Sequence, residues 1–355
     1  MSLEDLRKQI DDLDTRIVEL IAERQKVSQK IGKSKKVQKL LVEDRGRESK
    51  VIEHVKSLAR GKNINDADVE CIFRLMIAAS KKIQGIEVAF QGEMGAYSEE
   101  AVFHFFGSSV QVRPRETLEE VFKIVESEEV PYGMVPIENS LEGSISRTYD
   151  LMLESALKVY GETEVRVIHC LIGTPEASLD TIKRVYSHPQ ALGQCRNFLK
   201  KLSYEMVPTY DTAGSVKMIR EKGTTDVAAI ASARAAEIYG MKIIAQSIED
   251  NPNNFTRFFV LSKEDAQPTG NDKTSIVFSA KDRPGALYEC LTEFASRKIN
   301  LTKLESRPTR QRPWEYNFYL DFDGHRQDKL ASEALAGVEK NSIFLKVLGS
   351  YPKAR

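Results

Sequence analysis

The sequence predicts a multidomain chain: an all-α helical segment, a two-lobed α/β segment, and a small α+β unit of ferredoxin-like order. Three observations predict it. Apolar residues recur at three- and four-residue spacing over residues 1–85, the rhythm of helix faces. Short apolar runs then alternate with amphipathic stretches over 86–262, as in α/β folds with largely parallel sheets. Beyond a polar stretch with Pro and Gly at 263–273, the order over 274–355 is βαββαβ.

At 355 residues the chain exceeds one ordinary core. With 41% hydrophobic and 29% charged residues it has a folded, water-soluble composition. Its formal net charge of zero argues against general nucleic-acid binding. Six lysines cluster in Lys26–Lys39, read as a solvated helix face. Cys71, Cys170, Cys195 and Cys290 lie far apart, without metal-ligand spacing. Buried free thiols in a reducing compartment are expected, and no metal. The first residues mix acids with bases and carry no long apolar run, and no stretch reaches membrane-spanning length. A cytoplasmic protein is therefore expected.

In the helical segment Leu3, Leu6, Ile10, Leu13, Ile17 and Leu20 mark one face, which Val27 and Ile31 resume. Position 24 should be apolar but is Arg24. Lys35 falls three turns on, on the same face. Asp44, Arg47 and Glu48 form a second cluster at i, i+3 and i+4. On a helix from Asp66, the stripe Val69, Phe73, Met76 runs into Ser80 and Gln84. Two readings stand side by side: an internal ion pair such as Arg24 with Glu48, or a pocket for a small dianion. Helices with so little core of their own also suggest a helical dimer.

In the α/β segment the expected strands are Ile86–Phe90, Tyr132–Ile137, Val165–Ile172, Arg184–Ser187, Val227–Ala231, Lys242–Ile248 and Arg257–Leu261, with helices such as Thr117–Ser127 and Ala191–Leu202. Polar clusters sit at strand ends, where open α/β sheets hold ligands. Gly92 and Gly95 precede a helix that Ser98 begins or caps, which makes either an anion-binding turn or a plain one. Val135–Ser144 runs from strand into polar loop, Ser187-His-Pro-Gln190 from strand into helix, and Asn253–Phe258 into the last strand. His188 is the obvious general acid, or else a neutral histidine at a helix start. Arg257 could take a carboxylate, or form a structural ion pair pointing away from Thr256.

In the last segment strand Thr274–Ala280 leads into helix Gly285–Arg297, strands near Leu301–Ser306 and Glu315–Phe322, helix Gln327–Val338 and strand Phe344–Tyr351. Arg283–Leu291 is a turn into the helix, and Glu305-Ser-Arg-Pro308 and Trp314-Glu-Tyr316 lie at strand ends.

These motifs carry resemblances. The helical segment resembles the all-helical chorismate mutase family, through Arg7, Arg24, Lys35, Asp44, Arg47, Glu48, Ser80 and Gln84 as a set. The middle segment resembles prephenate dehydratases, through Val135-Pro-Ile-Glu-Asn-Ser, Ser187-His-Pro-Gln and Thr256-Arg-Phe. It reads Gly-Ala-Tyr-Ser at 95–98 where many members have Gly-Thr-Phe-Ser. The last segment resembles the ACT regulatory domain in its dehydratase-linked form.

The resemblance implies periplasmic-binding-protein-like lobes in the middle segment and a bifunctional enzyme of phenylalanine biosynthesis, working as homodimer or tetramer without a cofactor. It would convert chorismate to prephenate, and prephenate to phenylpyruvate with loss of CO2 and water. It implies that Arg24, and Arg7 from the partner protomer, hold chorismate's carboxylates, with Lys35 and Gln84 on the ether oxygen. It implies Thr256 as the essential hydroxyl of the dehydratase. Asn139, Ser187, Gln190 and Gln194 would bind prephenate, with Ser98, Ser144, Thr212 and Arg257 as neighbours. Phenylalanine as feedback effector would sit at Gly285, Ala286 and Leu287 and at Glu305, Ser306, Arg307 and Pro308. The rival expectation is a non-catalytic amino-acid-binding regulator with a helical dimerisation module.

Overall fold

The structure, a computed structural model, describes residues 2–37, 45–62, 64–84, 86–108, 110–202, 204–309 and 315–354, and leaves the side chains of 33–37, 45–47 and 81–84 undescribed. The chain forms two compact units. One runs through Glu87 and includes Phe106–Gln111, and the other holds Val88–Phe105 and the chain from Val112 on.

The first unit contains α1 (Leu3–Val37), α2 (Arg45–Arg60) and α3 (Asp66–Gln84). Both α1 and α2 pack on α3. Val55, Ala59 and Val69 make a small core with Phe73 against it. The predicted apolar stripe of α1 is not in that core. Leu6, Ile10, Leu13, Ile17, Leu20, Val27 and Ile31 are all exposed. The side of α1 that is covered instead carries half-buried Ile21, Arg24 and Gln25 and buried Ser28.

In the second unit the first lobe holds β1 (Glu87–Gln91), α4 (Tyr97–Phe106), β2 (Gln111–Arg115), α5 (Leu118–Glu126), β3 (Tyr132–Asn139), β4 (Gly143–Ser144), α6 (Ser146–Glu154) and β5 (Lys158–Arg166). The second lobe holds β6 (Cys170–Gly173), β7 (Arg184–Ser187), α7 (Pro189–Gln194), α8 (Arg196–Leu202), β8 (Glu205–Pro208), α9 (Thr212–Lys222), β9 (Val227–Ala231), α10 (Ala233–Tyr239) and β10 (Lys242–Gln246). The chain then returns to the first lobe as β11 (Phe255–Ser262). The sheets are ordered β2-β1-β3-β11-β5, with β4 on β3, and β10-β6-β9-β7-β8.

The expectation of largely parallel sheets needs correction. β1–β3, β7–β8 and β7–β9 are parallel, whereas β11 runs antiparallel to both β3 and β5, and β6 to both β9 and β10. These reversals lie where the chain passes between lobes. For the same reason the predicted strand Val165–Ile172 is two pieces, the end of β5 and β6, separated by the crossing.

The C-terminal part contributes β12 (Asp272–Ala280), α11 (Ala286–Ala295), β13 (Leu301–Pro308), β14 (Tyr316–Asp323), α12 (Lys329–Asn341) and β15 (Ser342–Pro352), in the predicted βαββαβ order. Its antiparallel sheet, β13-β14-β12-β15, turns Ile276, Phe278, Leu320 and Phe322 toward the helices. The opposite face sends Val277, Tyr319, Leu348 and Tyr351 into one core with Val135, Val159 and Phe259 of the first lobe. Gly349 is required there, since a Cβ would stand 2.3 Å from the Val159 carbonyl oxygen. Residues 263–271 are correspondingly not a free tether. Ala266 lies in the shared core, and Asp272 accepts from the Thr269 and Gly270 amides.

Candidate functional site

In the helical unit Arg24 Nη1 donates to Ser80 Oγ at 2.5 Å and to the Met76 carbonyl at 3.3 Å. Ser80 Oγ in turn donates a hydrogen bond to that carbonyl at 2.8 Å. A pocket lined by Ile21, Arg24, Gln25, Leu75, Met76 and Ala79 opens beside them. Of the predicted residues, Arg24 and Ser80 are thus brought together, and Glu48 is half-buried on α2. Arg7 is exposed near the start of α1, seventeen residues before Arg24, roughly 25 Å away at helical rise. Asp44 and the side chains of Lys35, Arg47 and Gln84 lie outside the described residues, as does Trp314.

In the second unit Thr256 stands at the start of β11, in register with Asn139 at the end of β3. Asn139 is 5% exposed. Its Oδ1 accepts the backbone N–H groups of Leu141 at 3.0 Å and Glu142 at 3.1 Å, which fixes which way the amide faces. Its Nδ2 then points at Asn254 Oδ1 (2.7 Å), Thr256 Oγ1 (3.0 Å) and the Phe255 carbonyl (3.1 Å). Asn254, fully buried, donates from Nδ2 to Gln194 Oε1 at 2.9 Å. The same Oε1 meets His169 Nε2 at 2.9 Å.

Thr256, Asn139 and Gln194 are therefore brought together through Asn254, with His169 extending the chain beyond Gln194, and sequence reasoning missed both of these linking residues. Asn254 lay in the Asn253–Phe258 run without a role of its own. His169 carries no sequence signal, because it stands at the crossing between lobes.

Other predicted residues have structural partners. Ser187 is fully buried and donates to the Ile230 carbonyl at 2.6 Å, tying β7 to β9. His188 caps α7, its Nδ1 accepting the Gln190 amide at 3.3 Å, as a neutral helix-start histidine would. Gln190 is exposed, Ser98 is buried in the first turn of α4, and Thr212 opens α9 behind its cap Asp211. The anion-binding turn is not available. The Gly92 amide bonds the Arg115 carbonyl and the Gly95 amide bonds Glu99 Oε2. Gly95 serves close approach instead, a Cβ there falling 2.7 Å from Ala235 Cα. Ser144 bonds Glu305 and accepts from Lys303 Nζ at 3.0 Å, so it meets the C-terminal sheet.

Arg257 points away from Thr256. It pairs with Glu162 at 2.6 Å and Asp321 at 2.7 Å, and donates to the Tyr351 hydroxyl at 3.1 Å. Lys273 closes the group on Glu162 at 2.7 Å. The alternative of a structural ion pair is the one the geometry realises. Burial pushes the Glu162 carboxyl up, but Arg257 and Lys273 outweigh it and hold it below the ordinary range. Its contribution is complete above about pH 4.3 and is lost as pH falls through the depressed value. Glu162→Gln leaves the largely buried Lys273 without its carboxylate and Arg257 with Asp321 alone, and should cost about 3–5 kcal/mol. Calorimetry should show a melting point lower by roughly 10 °C at neutral pH, with the gap to wild type narrowing in acid. An unchanged melting point at neutral pH would remove the network from the stability account.

The predicted effector residues divide between two faces of the C-terminal sheet. Gly285 caps α11 at φ 83°, with Ala286 buried behind it. Ser306 pairs with Phe318 on the helix-covered side, whereas Glu305 pairs with Tyr319 on the face toward the first lobe. Arg307 is buried on that second face and bonds Asp150 of α6 at 3.0 Å. Pro308 is exposed at the strand end.

Three family models match the chain in order: chorismate mutase type II at residues 6–85, prephenate dehydratase at 88–266 and the ACT domain at 274–340. The bifunctional chorismate mutase/prephenate dehydratase of Aquifex aeolicus is 39% identical over 99% of this chain and 98% of its own. That of Stutzerimonas stutzeri is 38% identical over the same shares. The prephenate dehydratase of Arthrobacter aurescens, solved in complex with L-Phe, superposes with a TM-score of 0.70 at 34% identity, over 75% of this chain and 90% of its own. With these matches running the length of the chain, in the domain order its folds display, the protein belongs to the family of bifunctional chorismate mutases/prephenate dehydratases and carries both activities ahead of an ACT domain.

Proposed function

We propose that the mutase site is built around Arg24 and Ser80, and the dehydratase site around Thr256 on its Asn139 amide. The observation that carries the second assignment is the Asn139 Nδ2 contact to Thr256 Oγ1. That amide hydrogen occupies a lone pair of the hydroxyl, which leaves the threonine proton to be donated elsewhere. A neutral threonine is too weak an acid to ionise near neutral pH. It assists departure of prephenate's hydroxyl as a positioned donor while CO2 leaves and the ring becomes aromatic. Gln194, its carbonyl taken by two donors, offers its NH2 to the substrate, and Gln190, Ser98 and Thr212 complete the substrate site, while Ser187 braces β7 against the Ile230 carbonyl. Arg257 and Ser144 work at the contact with the C-terminal sheet and not on substrate.

Chorismate rearranges within itself, so the mutase needs no nucleophile or proton shuttle. It has to hold the compact conformer and stabilise charge on the ether oxygen. Arg24 takes a carboxylate, with Lys35, Asp44, Arg47, Glu48 and Gln84 completing the pocket. Arg7 lies too far along its own helix to reach that pocket, and it serves the site of a second copy. The exposed stripe Leu6, Ile10, Leu13, Ile17 and Leu20 is the surface on which two α1 helices pair. Titrating one substrate at a time, with chorismate loss and phenylpyruvate formation followed separately, tests both assignments. Light scattering showing only monomer would overturn the shared site.

The ACT domain, over 274–355, binds phenylalanine at the Gly285–Leu287 turn and the helix-side residues of β13. Glu305 and Arg307 carry the signal to Ser144 and Asp150. Support comes from those contacts and from the L-Phe complex of the Arthrobacter enzyme. A Cβ at Gly285 would meet nothing within 4 Å, so a substitution there acts through its positive φ and by filling space an effector carboxylate needs. Gly285→Val is expected to shift inhibition to roughly tenfold higher phenylalanine, within the usual range of allosteric coupling, at unchanged basal dehydratase rate. Undiminished inhibition would place the effector elsewhere. The work is cytoplasmic: the cysteines are free, three of them buried, although Cys71 is exposed against expectation. Among the described residues no helix is long and apolar enough to cross a membrane.

A further inference from the structure

We infer that His169 is a positioning residue of the dehydratase, holding the Gln194–Asn254–Asn139 amide chain in the one polarity that leaves the Thr256 hydroxyl free to donate. The inference deepens the reading of Thr256 above and rests on it.

The polarity can be followed from a fixed end. Backbone N–H groups of Leu141 and Glu142 oblige Asn139 to present its carbonyl to them and its NH2 inward. Asn254 must then present Oδ1 to Asn139 and Nδ2 to Gln194. Gln194 must answer with Oε1, which becomes an acceptor for His169 as well. An acceptor facing His169 Nε2 at 2.9 Å requires hydrogen on that nitrogen. The other ring nitrogen, Nδ1, is then free to accept, and the Tyr97 hydroxyl stands 3.1 Å from it, shared with the Ile168 carbonyl at 2.7 Å. The amide chain thus fixes hydrogen on Nε2, and the ring's burial among these groups favours leaving Nδ1 bare, which makes His169 the neutral Nε2–H tautomer. The ring is 2% exposed, and burial lowers its affinity for a second proton.

The chain spans the return from the second lobe to the first, since Gln194 belongs to α7 and Thr256 to β11. Removing the His169 donor leaves Gln194 Oε1 with Asn254 alone. With one of the two donors that hold its carbonyl gone, the Gln194 amide is less firmly held, and its rotation would turn an NH2 toward Asn254 Nδ2. Asn254 would have to follow, and Asn139 would face a donor where it now has an acceptor. The effect arrives at Thr256 as a misdirected hydroxyl, so it belongs in kcat and not chiefly in KM.

The test uses the full chain with prephenate as substrate. His169→Leu is expected to lower dehydratase kcat ten- to a hundredfold with KM within threefold. His169→Gln, whose side-chain NH2 reaches the place of Nε2, should restore most of the loss. Asn254→Leu combined with His169→Leu should lose no more than the worse single variant. Equal kcat in the Leu and Gln variants, or losses that multiply in the pair, would sink the inference. A second measurement reads the tautomer in the unsubstituted chain: nitrogen NMR of the five labelled histidines should show the His169 ring, assigned by its loss in His169→Gln, as the neutral Nε2–H tautomer. The Nδ1–H tautomer there would overturn the polarity outright. Thr256→Ala decides which idea fails. If it keeps its turnover, the reading of the site and this inference fall together. If it is inactive while His169→Leu turns over normally, the inference alone falls.

Discussion

Thr256→Ala is expected to lower dehydratase turnover by about a thousandfold, while the same preparation consumes chorismate at the wild-type rate. Loss of one positioned proton donor costs a reaction about a hundred- to ten-thousandfold. The hydroxyl aimed at a leaving group falls in the middle of that range. The substitution removes no charge, and Asn139 keeps two other acceptors for its NH2, in Asn254 and the Phe255 carbonyl. The strand should therefore hold, and the melting point should move little. Thr256→Ser keeps the oxygen and loses only a methyl group, so its turnover should stay within about tenfold of wild type. Loss of order through that methyl is the smaller effect. The competing candidate is His188, and His188→Gln should retain most activity, because its Nδ1 is already committed to the Gln190 amide. Near-normal turnover in Thr256→Ala beside a dead His188→Gln would reverse the assignment.

The parts of the fold legible in sequence are those fixed by local rhythm. Arg184–Ser187 and Val227–Ala231 match their strands residue for residue, and Asp66 begins α3 as read. The βαββαβ order was legible because turn and helix signals separate its strands. What local rhythm could not show is where a chain changes sheets. The crossing after β5 looks like continuous strand, since both sides of it are buried and apolar. The return before β11 was visible only as a polar run. Those two crossings are where the unpredicted members of the site lie, His169 on the first and Asn254 on the second. Burial of a face by a neighbour was equally hidden. Glu305 and Arg307 were read as effector residues at a strand end and Lys303 carried no expectation, yet the three meet Ser144, Asp150 and Glu138 of the first lobe. Arg24 was conspicuous because it broke a pattern, although the stripe it broke proved to be exposed and the residue itself half-buried beside it.

Arg24→Ala is expected to reduce mutase kcat/KM at least a hundredfold and to leave dehydratase activity on added prephenate unchanged. The estimate follows from what a guanidinium supplies. A charge-assisted hydrogen bond contributes about 1.5–3 kcal/mol, and the fork makes two when it meets a carboxylate squarely. Two such bonds at the lower figure correspond to more than a hundredfold. Arg24 Nη1 rests on Ser80 Oγ and the Met76 carbonyl, neutral acceptors that a dianionic substrate outcompetes. Truncation strands no opposite charge at those contacts, so the helical unit should keep its fold. Arg24→Lys should recover little of the loss, because a point charge on a flexible stem cannot reproduce the planar pair of donors. The dehydratase is measured by adding prephenate directly, which bypasses the mutase step. If both activities fell together in a protein that still melts like wild type, the two reactions could not be using separate residues, and the placement of the mutase around Arg24 would be wrong.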